Sequence, residues 1–176
     1  MISNIKNKIG ILFAKRKFIR GQKNGKSFQN FFFEAKEVLI ILPNLENNFI
    51  EEVIKIIRFV YIHKKKIFII YKSGNQKYLP TDFEYSSHEI SKIDKTKFEL
   101  PTKELADKIK KYTFDIVIDL NLKNDLFSSA LANIPLSDFR IGFIKNKSDL
   151  FYNFQIPSEI NSEKSYRNLL NSLRMF

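Results

Sequence analysis

At 176 residues the chain has the length of one domain, and a domain near that size buries roughly 70% of its unfolded surface without covalent staples. It contains no cysteine, which excludes disulfides, thiol redox chemistry, iron–sulfur clusters and cysteine-ligated zinc. The net charge of +11 is unevenly placed: residues 1–36 carry nine basic side chains against one acid, Glu34.

The chain opens with Ile2, Ile5, Ile9 and Leu12 at helical spacing, which predicts an amphipathic helix over residues 2–13. Gly10 within it costs about 1 kcal/mol relative to alanine. Such a stripe either covers part of the domain's own surface or docks on a membrane or a partner. Lys15 to Arg20 end the stripe with charge, and Gly21 to Ser27 read as a polar linker. Residues 1–30 are therefore taken as a basic arm with its linker, and residues 31–176 as the domain proper. Lys6, Lys8, Lys15, Arg16, Lys17, Arg20, Lys23 and Lys26 form a candidate anion-binding set for nucleic acid or another anionic surface. Codon composition offers a competing origin for the charge, since lysine outnumbers arginine 24 to 6, but drift alone would spread the lysines evenly.

Glu37 to Leu42 form a continuous apolar run closed by Pro43, as expected for a strand buried on both faces. Asn47 or Asn48 is positioned to cap the next helix, which carries Phe49, Val53, Ile56, Ile57 and Val60 inward, with Glu51 and Glu52 in its first turn. His63 sits at its basic end and reads as a solvated residue favoured by the helix dipole. Ile67 to Tyr71 form a second buried strand, followed by a turn at Ser73–Asn75. A weaker strand is expected near Tyr85–Ile90. Thr102 caps a helix running to about Tyr112, with Leu105, Ala106 and Ile109 inward. Asp115 to Leu120 give a third clear strand, residues 125–134 a short helix stopped by Pro135, and Phe139–Phe143 and Phe151–Ile156 two further strands. Asn161 or Ser162 caps a last helix with Tyr166, Leu169, Leu170 and Leu173 inward.

Strands alternating with helices predict an α/β domain with a doubly wound, mostly parallel, Rossmann-like sheet and a basic N-terminal helical arm. The longest apolar runs fall far short of the roughly 20 residues of a membrane span. The N-terminus lacks the continuous apolar stretch of a secretory leader. A cytoplasmic protein, or one peripheral to a membrane, is expected.

Ligands of such sheets bind beyond the carboxyl ends of the strands. The loops there offer Asn44, Asn47, Ser73, Asp119, Asn121, Asn124 and Asp125 as a candidate ligand rim. Asp119 is placed for a sugar-binding or catalytic role, or simply to bond neighbouring loop amides; no second acid or base accompanies it in sequence. The loop after the first strand has no glycine, and only Gly74 and Gly142 follow Gly25. Backbone approach to a pyrophosphate needs glycine there, and Glu51 and Glu52 oppose phosphate at that helix start. NAD, FAD and P-loop nucleotides are thereby argued against, and no cofactor is expected. His63 and His88, the two histidines, form no metal-ligand pattern.

Residues 114–143, from Phe114-Asp-Ile-Val-Ile-Asp-Leu through Ser128-Ser129-Ala-Leu-Ala to Arg140-Ile-Gly-Phe143, resemble a strand–helix–strand of glycosyltransferase family 9, the heptosyltransferases of lipopolysaccharide synthesis. Residues 37–60 resemble that family's first strand and helix. The resemblance implies the N-terminal half of a two-domain fold and binding of a sugar or glycan acceptor. Where the family has Ser-Leu-Gly-Asp, with the acid as proposed base, this chain has Asn44-Leu45-Glu46-Asn47, and an amide cannot take a proton as a carboxylate does. The chain also resembles a group of short uncharacterised bacterial proteins with a basic N-terminal segment and a Phe-rich lead into the first strand. The resulting expectation is a non-catalytic binding or interaction protein, engaging nucleic acid, an anionic surface or a protein partner. Its alternatives are a family 9-like acceptor-binding half-domain and membrane attachment through residues 1–20.

Overall fold

The computed structural model describes residues 2–19, 27–44, 49–159 and 163–176. Six strands form one sheet in the order β3-β2-β1-β4-β5-β6, and every adjacent pair is parallel. β1 (Glu37–Ile41), β2 (Lys66–Lys72), β4 (Thr113–Asp119) and β5 (Leu136–Phe143) make the centre, flanked by β3 (Ser86–Ile90) and β6 (Phe154–Ile156). The strand order reverses between β1 and β4, where the chain crosses from one face of the sheet to the other.

Two apolar layers result. On one face Val38, Ile40, Ile69, Ile116, Ile118 and Ile141 pack under α2 (Phe31–Glu34), α3 (Ile50–Ile62) and α6 (Glu163–Arg174). On the other, Leu39, Ile41, Ile70 and Val117 pack under α1 (Ile2–Lys17), α4 (Lys103–Ile109) and α5 (Leu126–Leu131). Alternate strand residues feed alternate layers, which is why the central strands read as unbroken apolar runs. Val53, Ile56, Ile57 and Val60 of α3, and Tyr166, Leu169, Leu170 and Leu173 of α6, are buried as their spacing predicts. α2 adds Phe31 and Phe32, and Phe28 packs against Phe31, Phe139 and Phe154. The buried Lys65 ammonium, lowered in pKa by that burial, donates to the carbonyls of Phe33 (2.7 Å) and Ala35 (2.6 Å) at the end of α2.

The helix caps are partly as expected. Thr102 Oγ1 accepts from Leu105 N at 3.4 Å, and Asp125 Oδ1 accepts from Phe127 N and Ser128 N at the start of α5. α3 begins at Ile50 with Phe49 in the cap position and no side-chain cap bond. The alternatives Asn47 and Asn48, like Asn161 and Ser162 before α6, lie outside the described residues.

Other expectations need correction. Leu12 does not face inward: it is 67% exposed, while Gly10, Ala14 and Phe18 form the buried edge of α1. Gly10 permits that docking, because a Cβ there would lie 2.7 Å from Leu126 Cδ2 and 3.0 Å from the Phe98 carbonyl. The apparent weakness in the helix is thus a close contact between α1 and the domain, made through an edge other than the predicted stripe. β5 starts at Leu136 rather than Phe139. Phe151 and Tyr152 are not strand residues but follow a 3-10 turn at Ser148–Leu150. His63 is half-buried rather than solvated, with Nδ1 2.8 Å from the Phe59 carbonyl and its ring against Phe32, Phe33 and Phe59.

Edge strand β3 carries His88, whose Nε2 is buried and has no hydrogen-bond partner among the described residues; Nδ1 lies 3.3 Å from Lys108 Nζ. Burial first, and the Lys108 charge second, lower its pKa from the ordinary 6.5, against an opposing pull from Asp94. The unfolded chain therefore binds this proton more readily, so the stabilising contribution of neutral His88 is complete above its unfolded value and is lost as pH falls below about 6.5. Urea titrations between neutral and mildly acidic pH will show a loss of stability that is shallower in His88→Gln; an equal slope in both proteins refutes the assignment.

Candidate functional site

The carboxyl edge of the sheet brings together most of the residues expected to line a ligand crevice. Asn44 follows β1 and is exposed; Asn124 is also exposed. Ser73 extends the β2 ladder, its N–H donating to the Ile90 carbonyl at 2.9 Å. Asn75, two residues on, donates to the Pro43 carbonyl at 3.3 Å and so ties the β2 loop to the β1 loop. Lys72 at the end of β2 reaches Asp125 at the start of α5, 3.6 Å away, across the end of β1. Asn47 lies outside the described residues.

Asp119, the last residue of β4, is the centre of this edge. It has no solvent exposure. Asn121 donates to Oδ1 twice, from its backbone N–H at 3.0 Å and its side-chain amide at 2.6 Å. Lys145, which follows β5, places its ammonium 3.3 Å from Oδ2 and also donates to the Asn121 carbonyl at 2.9 Å. The Tyr152 hydroxyl donates to Oδ2 through a short hydrogen bond and sits 2.8 Å from Ser129 Oγ. That serine in turn is 2.9 Å from the Asp125 carbonyl.

The expectation that no second ionisable group accompanies Asp119 is thus overturned: Lys145 and Tyr152 are both within hydrogen-bond reach. They are 26 and 33 residues away in sequence, so no local pattern shows them. One signal was available. An isolated glycine in a strand marks close approach of another group, and Gly142 in β5 is such a glycine. A Cβ at that position would fall 2.8 Å from three atoms of the Tyr152 ring. The ring lies flat against the backbone of β5 because nothing projects there, and this brings its hydroxyl to Asp119.

Electrostatics keep the Tyr152 phenol of this cluster protonated. Burial, reinforced by the Asp119 charge, raises the Tyr152 pKa well above its ordinary value, so the phenol remains a donor at physiological pH. Tyr166, which donates to the Leu120 carbonyl at 3.1 Å, is raised for the same two reasons. The Lys145 side chain is only 5% exposed. Carboxylate, ammonium and phenol consume one another's hydrogen-bonding capacity, and no face of the carboxylate opens to solvent. A buried ion pair of this kind is held in place because breaking it strands a charge.

A second feature is invisible to local sequence patterns. A cleft of about 500 Å³ lies between the starts of α3 and α6, lined by Phe49, Ile50, Glu51, Lys55, Glu163 and Arg167, with Glu52 at its base. Glu52 accepts from Lys55 at 2.8 Å and from Arg167 at 3.4 Å; Arg167 also donates to Glu163 at 2.7 Å. The Lys55 hydrogen bond is the main cause of the lowered Glu52 pKa, with Arg167 assisting against the effect of burial. Three carboxylates against two cations make this cleft unsuited to phosphate. Among the described residues, no three His, Asp or Glu side chains gather in a way that could hold a metal ion. In comparisons with known proteins, the sequence matches no family model and no curated protein.

Three substitutions test the closed cluster by chemical denaturation. Asp119→Asn leaves the Lys145 ammonium buried without a counter-charge and should cost about 3–5 kcal/mol. Tyr152→Phe removes one donor to the carboxylate and should cost about 1–3 kcal/mol. Gly142→Ala pushes the Tyr152 ring off β5, at about 1–3 kcal/mol. Wild-type stability in Asp119→Asn would show that the cluster does not hold this edge together.

Proposed function

We propose that this chain is a non-catalytic binding module that engages a polyanionic partner through its basic N-terminal segment. The observation that carries the reading is the state of α1. Gly10, Ala14 and Phe18 are buried against the domain, while Lys15, Arg16 and Lys17 at the end of the same helix remain exposed. The helix is anchored, so its basic end is presented at a fixed place on the surface. No acid precedes Glu34 in the chain. Lys6 and Lys8 stand earlier on α1, and Arg20, Lys23 and Lys26 lie outside the described residues.

The carboxyl edge supports the non-catalytic half of the reading. Catalysis on this scaffold needs an acid or base that substrate can reach, and the strand-end acid Asp119 is enclosed by Asn121, Lys145 and Tyr152. The resemblance to glycosyltransferase family 9 bears on the scaffold. The loop that would carry the family's base has Asn47 in that place, a group that accepts no proton.

The triple variant Lys15→Glu/Arg16→Glu/Lys17→Glu should lose most salt-sensitive retention on heparin and on single-stranded DNA, with unchanged melting. Retention equal to wild type removes the arm from the function. Nucleotide sugars at millimolar concentration should leave the melting temperature unchanged; a clear rise through mass action would favour the glycosyltransferase-like alternative.

A further inference from the structure

The opposite edge of the sheet carries a surface separate from both α1 and the Asp119 cluster. In parallel α/β sheets ligands bind at the carboxyl edge, so apolar side chains exposed at the amino edge have no ligand to cover. Four are exposed there: Phe33 just before β1 (55%), Ile62 just before β2 (71%), Tyr112 just before β4 (42%) and Leu136 at the start of β5 (51%). Single exposed apolar residues are ordinary, but these lie in the segments that lead into or open four consecutive strands of the order β2-β1-β4-β5, Phe33 in α2 and Ile62 at the end of α3 among them. Neighbouring strands lie about 4.8 Å apart, so the four strand starts fall within roughly 14 Å. The register confirms the adjacency: Glu37 pairs with Lys66 and Thr113 with Leu136, and Lys66 N donates to the Lys36 carbonyl at 2.8 Å.

The same lead-in segments carry Lys36, Lys64, Lys110 and Lys111, all exposed and without an ion-pair partner among the described residues. Lys66 is paired with Glu37 at 2.7 Å. Asp115 is occupied by the backbone N–H groups of Lys36 and Glu37. Glu34 and Asp138 are the exposed acids nearby. At the carboxyl edge Lys72, Lys95 and Lys145 each have an acid, namely Asp125, Glu99 and Asp119. At the amino edge four unpaired lysines and four protruding apolar side chains stand in neighbouring segments.

We infer that the amino edge of the sheet is a docking surface for an anionic lipid bilayer. This rests on the reading of the chain as a module for an anionic partner, but places the contact on a different surface from α1. The side chains select lipid over nucleic acid. Ile62 and Leu136 are aliphatic and would gain by entering the headgroup–acyl boundary, whereas a base offers them little. The aromatic rings are not free stacking platforms: Phe33 packs against His63 and Phe32, and Tyr112 against Phe68 and Phe114. The cations are all lysine, which neutralises headgroup charge as a point charge without the bidentate fork that reads phosphate in nucleic acids. No described helix is long and apolar enough to cross a membrane, so the contact is superficial.

The test uses the full chain and flotation with phosphatidylcholine vesicles, with and without phosphatidylserine. Wild type should float only with phosphatidylserine. Lys36→Glu/Lys64→Glu/Lys110→Glu/Lys111→Glu should weaken that partitioning by at least about 100-fold, from several-fold for each lysine removed from the surface, with its circular dichroism melt unchanged. Ile62→Ser/Leu136→Ser should retain attraction at low salt and lose it at high salt, which separates apolar insertion from charge. Flotation of the quadruple variant equal to wild type overturns the inference. If the Lys15–Lys17 variant alone abolishes flotation, the amino-edge surface is refuted while the binding-module reading stands. Retention on single-stranded DNA without flotation likewise refutes the amino-edge surface and leaves the module reading intact. Binding to neither vesicles nor nucleic acid defeats both readings.

Discussion

Asp119 is a charge with no access to water, and the arrangement of the carboxyl edge follows from that constraint. A buried carboxylate is tolerable only if every lone pair is met and a counter-charge is close. The chain meets this with Asn121 from the same loop, Lys145 from the loop after β5 and Tyr152 from the segment before β6. Three strand ends are tied to one atom group. Gly142 is the enabling feature, because any side chain there would occupy the space of the Tyr152 ring. The Lys145 ammonium also lies 5.3 Å from the centre of that ring, adding a cation–π contact to the same unit.

A parallel sheet with this strand order normally offers an open crevice where the order reverses, between β1 and β4. Here the β4 side of the crevice is filled by its own polar cluster, and the Lys72–Asp125 pair bridges across the end of β1. Of the polar residues that look like ligand contacts in a linear reading, Asp119, Asn121 and Asp125 are already engaged by neighbouring groups. A carboxylate with a lysine, a tyrosine and a serine here form one buried, mutually bonded unit.

Charge is distributed to match. Lys72, Lys95 and Lys145 at the carboxyl edge each have a nearby acid, whereas Lys36, Lys64, Lys110 and Lys111 at the amino edge have no ion-pair partner among the described residues, and Lys15, Arg16 and Lys17 at the end of α1 stay exposed. Two basic surfaces therefore remain, one carried by a helix pinned at Gly10, Ala14 and Phe18, the other by the strand starts. The net charge of +11 is in this sense a surface property and not a burden on the core.

The sequence by itself determined the class of fold. Continuous apolar runs at Val38–Leu42 and Ile67–Tyr71, and the 3.6-residue stripes of α3 and α6, are local patterns that each element's own backbone geometry reads directly. Composition likewise showed the missing glycine after β1 and the basic N-terminus. α1 was legible as a helix, but not in its facing: its buried edge is Gly10, Ala14 and Phe18 because close contact with Leu126 rewards small residues over the larger Leu12. Only the tertiary structure decided the surroundings of Asp119, since Lys145 and Tyr152 meet it through the pairing of β4 with β5 and the turn that follows. Only strand order gathered Phe33, Ile62, Tyr112 and Leu136 onto one edge. Periodicity is a property of neighbours along the chain, whereas counter-charge, enclosure and surface patches belong to neighbours in space, which the order of strands in the sheet alone assigns.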